Sequence, residues 1–131
     1  MPFLTQELAQ EIVERTMKIL INNINVMDEN GVIIGSGDVE RVNQLHDGAL
    51  LVLERDESVE IDEEEAQKLK GAKPGINLPI RFHNQTVGVI GITGDPSQIR
   101  NYAQLVKMSA ELVLEQSFLL ERMQWKERLQ G

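Results

Sequence analysis

The chain has 131 residues, 41% of them hydrophobic, and a formal net charge of −8. This length fits one domain that can bury a substantial core. With no cysteine and only two histidines, disulfides are excluded and a zinc site would lack ligands, so we expect no metal. Because no apolar run approaches the ~18 residues that span a bilayer and no signal peptide pattern is present, we expect a cytoplasmic protein that does not enter a membrane.

The charge is concentrated in one segment. Eight of the 21 acidic residues lie between positions 54 and 65, a pattern typical of a solvated loop and helix N-terminus. The 13 basic residues are scattered, and one tryptophan and one tyrosine make no stacking platform for bases. We therefore expect no nucleic acid contact by this chain itself.

The first third of the sequence predicts a helix, a hairpin and a second, short helix. Thr5 is a suitable cap for apolar residues that recur at helical spacing as far as Leu20. Residues 24–27 and 32–34 flank an Asn-Gly pair, which favours a hairpin. Asp38 predicts a helix cap, with the helix running to about Leu45. The Gly-Ser-Gly turn before Asp38 is either an anion site at a helix N-terminus or a simple connector.

The middle of the chain leads into its most patterned segment, residues 71–94. Before it, residues 50–53 predict a helix, residues 59–61 a strand, and Asp62 with Glu65 a capping box for a helix that ends at Lys70-Gly71.

In the patterned segment, residues 76–83 alternate between apolar and polar, which predicts a strand with one face on the core. Pro79 cannot donate to a ladder, so this strand is an edge or carries a bulge. After a turn at Asn84, a returning strand holds Gly88, Gly91 and Gly94 at regular spacing. This spacing indicates close approach of a ligand or another backbone, or a bent strand under a helix.

A long helix is predicted after Gly94. Asp95, Pro96 and Gln98 form a strong helix start, and no proline or glycine follows before Gly131. Apolar residues beyond position 115 would be exposed in a monomer, so we expect a homodimer or an output contact through this helix rather than a plain surface helix. We interpret residues 1–131 as a single ligand-sensing domain. Residues 1–94 would form the N-terminal helix, sheet and short helices, and residues 95–131 the long helix.

Several segments together resemble a known family. They are residues 24–31 (INVMDENG), Ser36, Arg41, His46-Asp47-Gly48-Ala49, residues 73–80 (KPGINLPI) and residues 88–94 (GVIGITG). As a set they resemble the N-terminal sugar-diacid recognition domain of bacterial carbohydrate diacid regulators. Asn43 departs from the pattern, since a glycine is expected between Arg41 and His46. The helix-turn-helix segment that such regulators carry does not occur in this sequence.

The resemblance implies a fold and a function. The implied fold is an α/β (α+β), PAS- or Cache-like antiparallel sheet flanked by helices. The implied function is a ligand-binding sensor domain of a transcriptional regulator that recognises a sugar diacid or hydroxy acid such as glucarate, galactarate or glycerate. Through the resemblance, Gly48 and Ala49 join the expected ligand-binding residues.

A diacid brings two carboxylates, and each needs charged donors or several N–H groups when it leaves water. The donors could come from the guanidinium groups of arginine, from a lysine, from a histidine and from neutral polar side chains. Each of these could instead be a surface or structural residue. We expect one carboxylate near Ser36, Arg41 and a protonated His46. We expect the other near Lys73, Gly75, Asn77 and the backbone of Leu78 and Pro79, with the sugar hydroxyls along the strand that ends at Thr93 and Gly94. Arg81 is a further candidate donor.

Catalysis is not expected. No Ser/His/Asp arrangement is evident, and the glycine series 88, 91, 94 lacks the Lys-Ser/Thr pair of a phosphate loop. We therefore expect no catalytic residues and no cofactor. Two alternatives to the sensor stay open, a ligand-free PAS-like dimerisation module and a phosphate-binding module.

Overall fold

A computed structural model describes residues 4–69 and 72–130. In chain order the elements are α1 (Gln6–Met17), β1 (Ile24–Met27), β2 (Ile33–Ser36), a 3₁₀ turn (Val39–Arg41), α2 (Asp47–Arg55), β3 (Val59–Ile61), α3 (Glu63–Ala66), β4 (Gly75–Phe82), β5 (Gln85–Thr93) and α4 (Pro96–Gln130).

The five strands form one sheet in the order β2-β1-β5-β4-β3, with all neighbours antiparallel. Helices α1 and α4 pack on one side of the sheet, and α2 packs on the other. We call these sides the α4 face and the α2 face. The predicted antiparallel sheet flanked by helices is confirmed.

Both predicted hairpins form for the expected local reasons. Between β1 and β2, the Asp28 carboxylate accepts hydrogen bonds from the backbone N–H groups of Asn30 and Val32 at 2.9 and 3.1 Å. Gly31 closes this turn with a φ of 82°. Between β4 and β5, His83 and Asn84 have φ angles of 50° and 66°, the left-handed pair that a tight hairpin turn requires.

The helix predicted from Asp38 to about Leu45 is wrong. Asp38 does cap a turn, since its carboxylate accepts from the Glu40 N–H, but this turn ends at Arg41. The next residues pair with β2 instead, because the Asn43 N–H donates to the Ile33 carbonyl and the Ile33 N–H to the Gln44 carbonyl. Backbone pairing with a distant strand therefore displaces the local helix.

The middle helices differ in length from the prediction. The apolar residues 50–53 lie in α2, as predicted, and the capping box of Asp62 and Glu65 is present. Helix α3, however, ends at Ala66, and the predicted end at Lys70-Gly71 lies outside the described residues.

The sequence predicted that the strand at Pro79 is either an edge or carries a bulge, and the structure shows both features. Strand β3 pairs only with residues 75–77 of β4, so β4 has no strand neighbour on that side at Pro79. A bulge follows between Ile80 and Arg81. The Pro79 carbonyl accepts a hydrogen bond from Lys107 Nζ of α4 at 2.5 Å, so a helix side chain covers this part of the strand.

The two faces of the sheet differ in polarity. The α4 face carries the larger apolar cluster, which includes Ile76, Leu78 and Ile90. On the α2 face, Met27 and Val89 pack with Val52 in a smaller cluster, and the end of the sheet where β1 and β4 begin is polar. None of the helices in the described part of the chain has the length and apolar character needed to cross a membrane.

Candidate ligand-binding site

The strand register aligns one residue from each of four strands on the α2 face. Asn25 pairs with Ser36 on one side and Gly91 on the other, and Gly91 pairs with Asn77. We call Ser36, Asn25, Gly91 and Asn77 the polar row. Its three polar side chains are 0%, 2% and 3% exposed. Buried polar groups are costly unless they are hydrogen-bonded, so a buried polar row near the end of the sheet requires a reason.

One half of the polar row is internally hydrogen-bonded. Ser36 Oγ donates to Asn25 Oδ1 at 2.6 Å and accepts from the Asp38 N–H at 3.0 Å. Asn23 Nδ2 also donates to Asn25 Oδ1, at 3.1 Å. The side-chain oxygen of Asn25 therefore accepts two hydrogen bonds. The Ser36 hydroxyl both donates and accepts a hydrogen bond within the protein.

The other half of the polar row consists of Asn77, whose side chain has no hydrogen bond to any residue that the structure describes. Its Oδ1 lies 2.5 Å from where a Cβ on Gly91 would stand, and its Nδ2 lies 2.9 Å from the corresponding position on Gly48. Asn77 thus extends over β5 on one side and towards the first turn of α2 on the other. A Cβ at either position would collide with the Asn77 amide as it is placed, so a substitution at Gly91 or Gly48 would displace this side chain.

The N-terminus of α2 lies at the Asn77 end of the polar row. His46 is its N-cap, and His46 Nδ1 accepts a hydrogen bond from the Ala49 N–H at 3.1 Å. Gly48 lies in the first helical turn, where N–H groups have no partner within the helix. Such a terminus attracts negative charge. A buried amide directed at it is a second, independent indication of a ligand site.

Two basic side chains lie beside this terminus, and both are buried. Burial lowers the pKa of Arg41, and the nearby carboxylate of Asp38 partly opposes this shift. Burial also lowers the pKa of His46 to about 4, and the positive charge of Arg41 contributes further. Without a ligand the imidazole is therefore expected to be neutral at pH 7, with Nδ1 as an acceptor and Nε2 as the remaining donor, which differs from the protonated His46 that we expected for the complex.

The structure brings about half of the predicted site residues together. The group at the polar row and the α2 N-terminus comprises Ser36, Arg41, His46, Gly48, Ala49 and Asn77. Gly75 and Thr93 pair with each other one step further along the α2 face, at the end of the sheet. Gly94 follows there, and its N–H donates to the Pro74 carbonyl. Lys73 is exposed near the same end.

Three other predicted residues have side chains or carbonyls engaged elsewhere. The Leu78 side chain packs into the core on the α4 face, because neighbouring residues of a strand point to opposite faces, which leaves its predicted backbone contact untested. The Pro79 carbonyl is occupied by Lys107. Arg81 lies towards the far end of β4 and donates to Asp56, through Nη1 to Oδ2 at 3.3 Å and through Nη2 to the carbonyl at 2.9 Å.

Sequence reasoning missed Asn25 as a site residue. The signal was present, since Asn23 and Asn25 alternate with Ile24 and Val26 and must share one face of β1. What the sequence could not give was the register that places Asn25 opposite Ser36 and Gly91. Ser36 also lines a cavity of about 410 Å³ at the β2 edge, next to Gly37 and Gln10.

Known proteins resemble this chain in both fold and sequence. The GAF domain of an Acinetobacter phosphoenolpyruvate-protein phosphotransferase superposes with a TM-score of 0.60 at 11% identity, covering 88% of this chain and 86% of that one. The cofactor-binding GAF domain of the nutrient sensor CodY from Clostridium difficile gives 0.54 at 18% identity, covering 82% and 81%. At these identities the likeness shows the fold alone. That fold is GAF-like, and a Cache likeness stays a prediction.

The sequence relationships are closer. The carbohydrate diacid regulator of Escherichia coli K12 is 52% identical over 126 residues, which make up 96% of this chain and 33% of the regulator. The chain thus spans about a third of the length of that relative. Residues 4–131 match the model of the sugar diacid recognition family, which is a recognition family rather than an enzyme family. On these grounds the chain belongs to the sugar diacid recognition family.

Proposed function

We propose that this chain is the ligand-sensing domain of a transcriptional regulator, and that it binds a small sugar diacid between the polar row and the N-terminus of α2. The observation that carries the proposal is Asn77. This amide is 3% exposed, makes no hydrogen bond to the described residues and is directed at a helix N-terminus. A ligand oxygen would supply the missing partner, which makes binding favourable and selective.

The donors around α2 suit one carboxylate. The Gly48 N–H, Asn77 Nδ2, His46 Nε2 and the guanidinium of Arg41 all belong to this end of the α2 face. Several donors to one carboxylate are needed, because a dianion is repelled at long range by a protein with a net charge of −8 and gains affinity only from local contacts.

The second carboxylate would lie at the end of the sheet where β4 begins and β5 ends. Lys73 is exposed there and can approach as a flexible point charge, and the half-buried Thr93 offers a hydroxyl. A chain of hydroxylated carbons would run between the two ends. A six-carbon diacid such as glucarate or galactarate would contact both ends in this arrangement, whereas glycerate would occupy the α2 end alone.

The remaining features of the proposal concern the whole regulator. We propose that residues 1–131 act as one sensing domain without catalytic residues or a cofactor, in the cytoplasm, and as a homodimer through α4. The name of the Escherichia coli relative supports the regulatory role. The exposed apolar residues of α4 support the dimer.

Isothermal titration calorimetry with glucarate, galactarate and glycerate tests the proposed function. The Asn77→Asp variant keeps the side-chain size but replaces the donor with a negative charge. We expect diacid binding to weaken about 10- to 100-fold, which corresponds to the loss of one hydrogen bond to a charged group. Arg41→Ala should cost on the order of 2 to 5 kcal/mol of binding free energy.

The matched control is Arg122→Ala, which removes an exposed arginine on the distal half of α4 and should leave the affinity unchanged. Thermal unfolding of each variant shows whether it is folded. If the wild type binds none of the three acids, or if Asn77→Asp and Arg41→Ala are folded and bind normally, the proposed site is wrong. In the first case a ligand-free dimerisation module becomes the better description.

A further inference from the structure

The hydrogen bonds of the polar row determine which way the Asn25 amide faces. Asn25 Oδ1 accepts from both Ser36 Oγ and Asn23 Nδ2. An amide held this way must direct its Nδ2 donors to the other side. No described residue accepts a hydrogen bond from Asn25 Nδ2. On the next strand stands Gly91, which has no side chain to fill the space.

The neighbour beyond Gly91 presents the opposite polarity. Asn77 pairs with Gly91 from the other side, and its Oδ1 lies over Gly91, 2.5 Å from the position of an added Cβ. The strand of Gly91 is therefore flanked by a donor on β1 and an acceptor on β4. Alternate strands are about 9.5 Å apart, a distance that two amide side chains and one ligand atom between them would span.

The geometry points to a hydroxyl-reading pair: Asn25 Nδ2 and Asn77 Oδ1 bind one hydroxyl of the ligand above Gly91. A hydroxyl accepts from Asn25 and donates to Asn77 at the same time, whereas a carboxylate oxygen cannot donate and would be repelled by Asn77 Oδ1. This inference rests on the proposed function, and it adds a residue, Asn25, and a chemical requirement to it.

The position of the pair also indicates where the hydroxyl lies relative to the bound carboxylate. Asn77 Nδ2 is directed at the first turn of α2, near Gly48, where the carboxylate is proposed to bind. One amide would therefore contact a carboxylate through its nitrogen and a hydroxyl through its oxygen. Because these two atoms share one carbon, the two ligand groups must be close neighbours. The hydroxyl that the pair binds therefore lies near the carboxylate at the α2 N-terminus.

A comparison of glucarate with adipate tests the hydroxyl requirement, because adipate has the same six carbons and two carboxylates but no hydroxyls. Calorimetry on the wild type should show at least about 100-fold tighter binding of glucarate, since adipate would leave buried polar groups without partners. The Asn25→Ala variant should lose most of this preference, through weaker glucarate binding with adipate binding little changed.

Ser36→Ala provides a second variant in case Asn25→Ala does not fold. It removes the 2.6 Å hydrogen bond that orients Asn25, together with the hydrogen bond that the Asp38 N–H donates to the same hydroxyl, and it should lower the glucarate preference about 10-fold. Asn101→Ala, on the exposed surface of α4, is the control and should keep the full preference. Equal binding of glucarate and adipate by the wild type would overturn the hydroxyl-reading pair but not the proposed diacid site. Binding of neither would overturn both.

Discussion

His46 can cap α2 only while its imidazole is neutral. Its Nδ1 caps α2 by accepting from the Ala49 N–H, and its burial beside Arg41 lowers its pKa to about 4. In the unfolded chain the pKa is about 6.5. As the pH falls from 6.5 towards 4, the unfolded state therefore binds a proton that the folded state does not. Stability is full above about pH 6.5 and is lost progressively below it.

We predict that the wild type loses about 2 kcal/mol of unfolding free energy through His46 between pH 6.5 and pH 5. Other groups also titrate in this range, so the measurement is a comparison with His46→Asn, which still caps the helix but does not titrate. Urea unfolding of both proteins at each pH gives the difference. Equal losses in the two proteins would show that the imidazole is not held neutral.

The neutral imidazole also changes the expected pH dependence of binding. If His46 contacts the carboxylate through Nε2 alone, no proton is taken up on binding near neutrality. We predict that the glucarate affinity is constant from pH 6 to pH 8, as measured by calorimetry in buffers of different ionisation enthalpy. An affinity that falls tenfold per pH unit over this range would indicate a protonated His46 in the complex.

At the scale of single residues, local chemistry was predictable and spatial pairing was not. Asn43 stands where the family pattern has a glycine, and it adopts a φ of 77°, a conformation that asparagine tolerates better than most residues. Arg41, His46 and Asn77 could be chosen from their chemistry. Arg81 could not be excluded, because its partner Asp56 is 25 residues away.

At the scale of elements, α4 does more than cover the sheet. Its Lys107 and Glu111 lie one turn apart and reach the edge of β4 where β3 no longer pairs with it. Lys107 Nζ donates to the Pro79 carbonyl and to Glu111 Oε2, and Glu111 Oε2 accepts the Arg81 N–H at 2.8 Å. The side chains of a helix thus satisfy backbone groups that a further strand would otherwise pair.

We predict that Lys107→Met destabilises the protein by about 1 to 3 kcal/mol, because it leaves the partly buried Glu111 and the Pro79 carbonyl without their donor. The matched control is Lys126→Met on the exposed distal part of α4, which should change stability by less than about 0.5 kcal/mol. Chemical denaturation measures both. A loss for Lys107→Met no larger than for the control would show that the contact with β4 contributes nothing.

The elements that the sequence predicted well are those whose signals are local. Caps at Thr5 and Asp62 and the two hairpin turns all formed as expected. The failure between Asp38 and Leu45 has a non-local cause, because residues 43–46 hydrogen-bond to the chain near β2. A good N-cap starts a turn, but it cannot show that the following residues gain more by pairing with a strand.

At the scale of the whole molecule, α4 is longer than the sheet requires. Its 35 residues span about 52 Å at 1.5 Å per residue. Leu105, Leu112 and Leu119 recur every seven residues and are 64%, 66% and 50% exposed. Spacing of this kind is typical of a helix that packs against a partner helix. Further along, Met123, Trp125 and Leu129 are also more than half exposed.

We predict that the chain forms a homodimer through this stripe, and that a version ending at Gln116 is a monomer or dimerises far more weakly. Sedimentation velocity over a range of concentrations measures both, and Leu112→Glu with Leu119→Glu should act like the truncation because two buried charges would face the partner. Gln124→Glu adds a charge outside the heptad positions and is the control. Monomeric sedimentation of the full chain at high concentration would show that the exposed face of α4 is not a self-association surface.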